Sequence, residues 1–255
     1  MKIATWNVNS VGVRLPQVLD WLAANQPDVL CLQETKLTDD KFTHAEFKEA
    51  GYESQWFGQK TYNGVALLSK TPATDVSRNI FGFDDEQARV IAGTVGDVRV
   101  IGAYFPNGQE PGSEKFAYKM KWLAALREWV RGELGKHQKL ALLGDFNIAP
   151  DDRDVHDPAA WAGQVLCSEP ERAALAAVLA LGFHDSFRLF EQPAATFSWW
   201  DYRAAGFRRN LGLRIDLILA SRALAPLCRE SVVDVVPRRS ERPSDHAPVV
   251  AGFDI

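Results

Sequence analysis

Eight short runs of β-branched and large apolar residues constrain the fold of this chain more than any other feature. Runs of this length and composition predict buried strands. Three of the runs, GVALLSK, ARVIAGTV and VRVIGAYF, follow one another with only short breaks, which is typical of antiparallel neighbours. In chain order the eight runs are KIATW, DVLCLQE, GVALLSK, ARVIAGTV, VRVIGAYF, KLALLGDF, LRIDLILAS and APVVAGFDI.

Three intervening stretches show helical spacing of their apolar residues. The first has apolar residues at i, i+3, i+4 and i+7 from Leu15 to Leu22, with Pro16 suited to a first turn. The second stretch lies before Gly135 and has its apolar residues at Phe116, Met120, Leu123 and Val130. The third has them at Leu175, Val178 and Leu179 and is ended by Gly182 in the C-cap role. This alternation predicts an α/β fold with a mixed sheet, or with two sheets packed face to face and helices outside.

The length of 255 residues is ample for one large core, and we expect a single domain over residues 1–255. Apolar residues make up 46% of the chain, as in an ordinary globular protein. The formal net charge is −4, so the overall charge gives no indication of nucleic-acid binding. The three cysteines include no CxxC pair, which argues against a zinc ribbon or a disulfide framework. Without an apolar run of the ~18 residues that span a bilayer, we expect a cytoplasmic protein with no membrane partner.

Polar residues stand where the apolar runs end, and KLALLGDFNIAP is the clearest case. In an extended strand alternate side chains share a face, so Asp145 and Asn147 would point the same way and Phe146 the other. Such a strand end is either a turn or a site. An Asx-turn before Pro150 is the plain structural alternative.

The same pattern recurs at the other strand ends. A carboxylate in LRIDLILAS is costly to bury without a partner, although Arg214 beside it is one structural possibility. Each of the others, taken alone, is more often a turn, surface or core residue. The recurring polar residues are Asn7, Asn9, Glu34, Lys36, Tyr104, Asp216, Asp245 and His246.

Taken together, these residues predict an oxygen-rich site of the kind that Mg²⁺ or Mn²⁺ prefers. The chain lacks the several His or Cys ligands that zinc usually requires, and it lacks a G-x-S-x-G elbow, a P-loop and a G-x-G-x-x-G turn. Hydrolysis of a phosphate ester is the natural use of such a site. The metal neutralises phosphate charge, a carboxylate prepares water, and an imidazole or phenol steadies the developing negative charge.

The same stretches resemble the exonuclease III family of abasic-site endonucleases, within the deoxyribonuclease I-like metal phosphodiesterases. The resemblance runs along nearly the whole chain, and GDFN and SDH alone are widespread in the superfamily. It implies a four-layered α/β sandwich, in which two packed, mixed and mainly antiparallel sheets are flanked by helices. The motifs are TWNVNS, LQETK, YFPNG, GDFN, SWWDYR, RRNLGLRIDLIL and SDHAPV.

The resemblance assigns roles to individual residues. Glu34 matches the main metal ligand, Asp145 matches the residue that orients or deprotonates water with support from Asn147, and His246 matches the imidazole that contacts the phosphate. Tyr104 matches a phenol near the phosphate, and Asp216 matches the carboxylate that orients the imidazole. The implied metal-site residues are Asn7, Glu34, Asp145, Asn147, Asp245 and His246, and the implied catalytic residues are Tyr104, Asp145, Asn147, Asp216, Asp245 and His246.

The family reaction is cleavage of the DNA backbone on the 5′ side of a missing base, and many members also act as 3′–5′ exonucleases or 3′-phosphatases. The resemblance therefore implies a monomeric, Mg²⁺-dependent enzyme, with Mn²⁺ as a substitute. Its substrates would be double-stranded DNA with abasic sites or damaged 3′ ends. The loop NGQEPGSEK offers no residue that can be matched to a helix-penetrating one, so the balance of the three activities stays open.

The segment SWWDYRAAGFRRNLGLR interleaves aromatic and arginine residues, a composition that suits bases and phosphates but also an ordinary surface loop. By resemblance, Trp199, Leu213 and Ile215 would wall a small apolar pocket for a flipped-out abasic sugar. Lys36, Arg208 and Asn210 complete the expected DNA-binding residues. In PRRSERP, Arg238 and Arg239 have two open roles, phosphate contact or plain solvation.

Two other functions compete with this interpretation. A phosphodiesterase acting on a phospholipid or inositol phosphate would share the metal-site residues, but the SWWDYR and RRNLGLRID stretches argue against it. The chain also has no membrane-seeking amphipathic segment. A non-catalytic module that binds damaged DNA would be favoured by the loss of a central residue, and none is lost.

Overall fold

The computed structural model describes residues 1–255 and contains two six-stranded sheets. Sheet I has the order β13-β14-β1-β2-β4-β3, sheet II has the order β5-β6-β7-β8-β12-β9, and β10 pairs with β11 in a small ribbon. The strands are β1 Lys2–Asn7, β2 Val29–Gln33, β3 Glu53–Phe57, β4 Val65–Ser69, β5 Thr74–Arg78, β6 Val90–Val95, β7 Val98–Tyr104, β8 Leu140–Asp145, β9 Phe183–Asp185, β10 Trp199–Trp200, β11 Gly212–Leu213, β12 Asp216–Ser221, β13 Cys228–Val233 and β14 Val249–Phe253. The helices are α1 Val11–Asn25, α2 His44–Glu49, α3 Glu114–Lys136, α4 Pro158–Trp161 and α5 Glu169–Leu179.

Three apolar layers hold the sheets and helices together. The inner faces of the two sheets pack on each other, with side chains such as Cys31 and Leu67 of sheet I against Ile91 and Leu143 of sheet II. The outer face of sheet I is covered by α1 and α2, and that of sheet II by α3 and α5. The predicted four-layered α/β sandwich is therefore confirmed. None of the helices combines the length and the apolar character needed to cross a membrane.

All eight predicted strands form, but details differ. GVALLSK becomes β4 of sheet I, whereas β6 and β7 are antiparallel neighbours in sheet II, so the predicted adjacency of GVALLSK to the next run was wrong. LRIDLILAS is broken after Leu213, and Asp216 begins β12 rather than lying inside a strand. Pro16 is in the interior of α1, which begins at Val11, so its placement in a first turn was also wrong.

The register of sheet II aligns three of the predicted site residues. Tyr104 lies beside Asp145 across the parallel pair of β7 and β8, and Asp216 lies beside Asp145 across the antiparallel pair of β8 and β12. Residues at one register level of neighbouring strands point to the same face. Gly144 permits this approach, because a Cβ there would lie 1.8 Å from the Ala103 carbonyl oxygen.

Candidate active site

The strand ends of both sheets meet at one edge of the sandwich. From sheet I come Asn7, the last residue of β1, and Glu34, the residue after β2. The Asn7 Nδ2 donates to Glu34 Oε1 at 3.0 Å and to Asp145 Oδ2 at 2.9 Å, so a single amide joins the two sheets. Tyr104 Oη donates to the same Glu34 oxygen at 3.0 Å. Two carboxylates, an amide and a phenol therefore converge as predicted.

The DFN segment brings its polar side chains to the site through a turn and not through an extended strand. The strand ends at Asp145, and Asn147 lies beyond it with φ 48°, so the two side chains do not share a face of an extended strand. Asn147 N–H donates to Asp145 Oδ1 at 2.9 Å, which is the Asx-turn, and its Nδ2 lies 3.3 Å from Asp145 Oδ2. Turn and site are the same structure, since the turn aims the Asn147 amide at the carboxylate.

His246 is held between two carboxylates. Its Nδ1 lies 2.9 Å from Asp216 Oδ2, and its Nε2 lies 3.7 Å from Asp145 Oδ2. Asp216 is held in turn by Ser198, whose Oγ donates to Oδ2 at 2.6 Å and accepts from the N–H groups of Ile215 and Asp216. All of these groups are buried, so the imidazole orientation is fixed by hydrogen bonds rather than by solvent.

Asp245 is anchored on the other side of the site. Its Oδ1 accepts from Asn9 Nδ2 at 3.1 Å and its Oδ2 accepts from Trp199 Nε1 at 3.0 Å. The backbone around it pairs with the SWWDYR segment, since Trp200 N–H donates to the Asp245 carbonyl at 3.0 Å. Lys36 closes this side, with its Nζ 2.8 Å from Glu34 Oε2.

The charges of the site perturb its pKa values in opposite directions. Burial raises the pKa of Asp145 to about 7, although the nearby His246 opposes this rise. Burial alone would lower the pKa of His246, but the negative charges of Asp216 and Asp145 outweigh it and raise that pKa to about 10. Burial works against ionisation of Glu34 too, yet the hydrogen bonds from Lys36 and Asn7 leave the pKa of Glu34 below its usual value.

Strained backbone surrounds the carboxylates. Four site residues that are not glycine have positive φ: Asn9 at 44°, Glu34 at 52°, Lys36 at 57° and Asn147 at 48°. For glutamate and lysine this left-handed conformation is unfavourable, because unlike asparagine they have no short polar side chain that bonds to the local backbone. Neighbouring backbone compensates, because Ser10 N–H donates to the Glu34 carbonyl at 2.7 Å. Such strain is maintained where the surrounding contacts fix a side-chain direction.

The donor set fits a hard divalent cation. Glu34 Oε1 and Asp145 Oδ2 face one another across a single neutral amide, and Asp245 lies nearby on Asn9. Oxygen donors of this kind suit Mg²⁺ or Mn²⁺. The donor atoms of Asp145, Asp216 and His246 also lie within 4.8 Å of one another. Asp216 is already bound to the imidazole and to Ser198, so the Asn7, Glu34 and Asp145 side of the site is the better place for an ion.

The residues expected to wall a sugar pocket form one apolar cluster. Leu213 and Ile215 pack with Leu166, and Trp199 packs on the same cluster. Leu213 is 0% exposed and Ile215 is 1% exposed, so in this conformation they have no free surface for a ligand. Trp199 is only half-buried, so it is the one of the three expected wall residues that offers surface to a ligand in this conformation.

The remaining DNA-binding candidates differ in position. Arg208 is exposed, whereas Asn210 uses its amide to accept from Trp200 Nε1 at 3.0 Å and to donate to the Ala195 carbonyl at 3.0 Å. Arg238 is buried against the rings of Trp200, Tyr202 and Phe207 and donates to the Ser244 carbonyl, so its solvated alternative was wrong. Arg239 is exposed. The DNA contacts of Lys36, Arg208 and Asn210 stay predictions.

Several residues that the sequence did not single out complete the site. Ser198 orients Asp216, and Ser244 donates from Oγ to the Asn7 carbonyl at 2.6 Å while accepting from His246 N–H. Arg89 lies 4.9 Å from the centre of the Tyr104 ring. The serines resemble ordinary turn residues, and nothing in the sequence marks them beyond their place as the first residues of SWWDYR and SDHAPV.

Comparison with known proteins agrees with this geometry. The sequence profile described as the Endonuclease/Exonuclease/phosphatase family matches residues 4–246. The chain is 37% identical to exodeoxyribonuclease III of Haemophilus influenzae over 99% of this chain and 100% of that protein. It superposes on the Neisseria 3′ phosphatase NExo bound to product DNA hairpin with TM-score 0.98, 52% identity and full coverage of both chains. An AP endonuclease from Archaeoglobus fulgidus gives TM-score 0.96 and 39% identity, again over 100% of both chains. The chain therefore belongs to the endonuclease/exonuclease/phosphatase family.

Proposed function

We propose that this chain is a metal-dependent DNA-repair phosphodiesterase that cleaves the backbone 5′ to abasic sites in duplex DNA. A 3′–5′ exonuclease or 3′-phosphatase activity accompanies this cleavage. The observation that carries the proposal is the convergence of Glu34, Asp145 and the Asp216–His246 pair on the amide of Asn7. The relatives named exodeoxyribonuclease III and AP endonuclease support it.

The residues of this chain divide the chemistry between them. Asp145, held by Asn7 and Asn147, orients the attacking water and accepts its proton while the bond between phosphorus and the leaving oxygen breaks. The leaving oxygen takes up a proton from Tyr104 or from Asp145. His246, protonated between two carboxylates, donates from Nε2 to a phosphate oxygen and stabilises the charge that develops there. Mg²⁺, or Mn²⁺ in its place, would be held by Glu34, Asp145, Asn7 and Asp245 and would neutralise phosphate charge.

Removal of a 3′-terminal phosphate or nucleotide is the second candidate for the main activity. The burial of Leu213 and Ile215 favours it, because a flipped abasic sugar needs accessible surface on these side chains. A terminal group at a 3′ end does not have to be flipped from inside a duplex. The similarity to the Neisseria 3′ phosphatase NExo also supports 3′-end processing. Both activities use one site, so they differ in substrate rather than in mechanism.

The deciding experiment uses two duplexes in parallel. One carries a single tetrahydrofuran abasic analogue, which blocks β-elimination, and the other carries a nick with a 3′-phosphate. Each is incubated with Mg²⁺, with and without a chelator, beside Asp145→Asn and the remote surface variant Asp97→Asn, whose parent carboxylate pairs with Lys139. We expect metal-dependent cleavage that Asp145→Asn abolishes and Asp97→Asn retains.

The product pattern then assigns the substrate. A nick on the 5′ side of the analogue supports abasic-site cleavage, whereas phosphate release alone supports 3′-end processing. Activity on neither duplex would contradict the proposal and return the phospholipid-type ester to consideration. We further propose that residues 1–255 act as one domain and as a monomer, and sedimentation of the active protein tests the latter.

A further inference from the structure

A fully buried ion pair lies beneath the site, between α3 and α5. Lys119 on α3 and Glu171 on α5 are bonded to each other, and both side chains are 0% exposed. Buried ion pairs are weak evidence for stability, since apolar side chains of similar volume often serve as well. Lys119 and Glu171 both form hydrogen bonds to backbone groups, which an apolar pair could not do.

Lys119 holds the two loops that carry site residues. Its Nζ donates to the Asn147 carbonyl at 2.7 Å and to the Asn107 carbonyl at 3.1 Å. Asn107 Nδ2 in turn donates to Asn147 Oδ1 at 3.3 Å, so the loop after β7 is tied to the DFN turn twice. The contact with the lysine stem is close, because a Cβ at Gly108 would lie 3.0 Å from Lys119 Cδ, and Gly108 itself has φ 94°.

Glu171 holds a third loop in the same way. Its two oxygens accept from Leu166 N–H at 3.0 Å and from Ser168 N–H at 3.1 Å, and Ser168 Oγ donates to it as well. The Leu166 carbonyl accepts from Ala149 N–H at 2.8 Å, two residues beyond the DFN motif. The loop that supplies Leu166 to the apolar cluster is thereby fixed relative to the DFN turn.

We propose that Lys119 and Glu171 are positioning residues, which set the DFN turn and the Leu166 loop at a fixed distance from the metal side of the site. The inference rests on the proposed nuclease function, and it adds two residues that touch neither substrate nor metal. Lys119 reaches Asn147 only through the backbone, so its loss displaces Asn147 and the Asp145 carboxylate bonded to it. A displacement of about 1 Å at a reacting group costs up to about 100-fold in rate.

The test compares two double variants that each remove one buried ion pair of α3. Lys119→Met with Glu171→Gln removes both charges together, because a single substitution would strand the other charge and endanger folding. The control is Arg99→Met with Glu133→Gln, since Arg99 Nε lies 2.9 Å from Glu133 Oε2 and the two side chains are only 3% and 5% exposed. Arg99 pairs with Leu140 at the opposite end of β8 from Asp145.

Two readouts are taken at a temperature where both variants are folded. Steady-state kinetics on whichever duplex the wild type cleaves should give a kcat about 10- to 100-fold lower for the Lys119/Glu171 variant, with KM nearly unchanged. Amide hydrogen exchange should accelerate in residues 105–109, 146–149 and 164–168 but not in β1 or β12. The control variant should keep its kcat and its exchange in those three segments.

The outcomes separate the two proposals. A Lys119/Glu171 variant with wild-type kcat overturns the positioning role, and so does an equal loss in the control variant, which would make the effect one of general stability. A fall in kcat without local exchange also overturns it, because the loops would then not have moved. A wild type that cleaves no duplex defeats the proposed function instead, and the exchange measurement alone then decides whether the ion pair fixes the loops.

Discussion

Replacing Ser198 by alanine should reveal how far the imidazole depends on its distant support. The Ser198 hydroxyl donates to the Asp216 carboxylate at 2.6 Å and accepts from two backbone N–H groups, and Ser198 is 0% exposed. A hydrogen bond to a charged group contributes about 1.5–3 kcal/mol, and each buried N–H left without a partner costs about 1–3 kcal/mol. These terms overlap, so we expect the free energy of unfolding to fall by about 3 kcal/mol or more.

The matched control lies on β12, the strand that begins with Asp216. Ser221, at the far end of β12, donates to the Gln138 carbonyl at 2.7 Å and accepts from Leu140 N–H at 3.0 Å. Ser221→Ala removes one neutral bond and strands one N–H, so it should cost about 1–3 kcal/mol without touching the imidazole. Urea titration measures both costs, and kinetics on the cleaved duplex measures kcat.

We expect Ser198→Ala to lower kcat by about tenfold or more, because a freed Asp216 lets the His246 ring rotate away from the phosphate. Ser221→Ala should leave kcat close to that of the wild type. If the two variants had the same kcat, the orientation of His246 would not depend on Ser198. If Ser198→Ala were as stable as the wild type, the hydrogen-bond account of the buried Asp216 would be wrong.

Two further predictions concern substrate binding. Trp199→Ala should impair cleavage more than it impairs Mg²⁺ binding measured by calorimetry. Trp199→Phe keeps a ring but loses the hydrogen bond to Asp245, so it separates the apolar contact of the indole from its bond to the carboxylate. Unchanged cleavage kinetics in both variants would remove Trp199 from the pocket. Affinity for duplex DNA should fall steeply with added salt despite the net charge of −4, because we expect exposed arginines such as Arg208 and Arg209 to contact phosphates. An affinity that does not change with salt would argue against a phosphate-binding face.

The sequence predicts the strands of the inner layers because they are continuous apolar runs. It does not predict the four strands at the sheet edges, β3, β5, β9 and β13, whose residues are largely exposed or only partly buried. It also does not predict β10 and β11, which have only two residues each. Polar residues at the ends of buried strands predict a site, but the row of Tyr104, Asp145 and Asp216 depends on strand order. That order joins β8 to β12, strands far apart in the chain, and no local pattern specifies it.

The residues that support the site differ in how visible they are in the sequence. Lys119 lies three residues after Phe116 and four before Leu123, on the apolar stripe of α3, so its position predicts a buried charge. Ser198 gave no such signal, because a serine before two tryptophans is compatible with any turn. The positive φ of Glu34 is equally invisible, since it is imposed by backbone partners from a distant segment and opposed by the intrinsic preference of glutamate.

The two aspartates of sheet II illustrate why position alone does not assign a chemical role. Asp145 and Asp216 stand side by side on β8 and β12, yet Asp216 faces a serine and the imidazole Nδ1, whereas Asp145 faces two amides. Burial lowers the pKa of His246, but the negative charges of Asp216 and Asp145 outweigh burial and raise this pKa, which favours the protonated imidazole and makes it a poor base. We therefore propose that His246, whose Nδ1 is held by Asp216, donates from Nε2 to the phosphate, and that Asp145, whose pKa is raised by burial, accepts the proton from water.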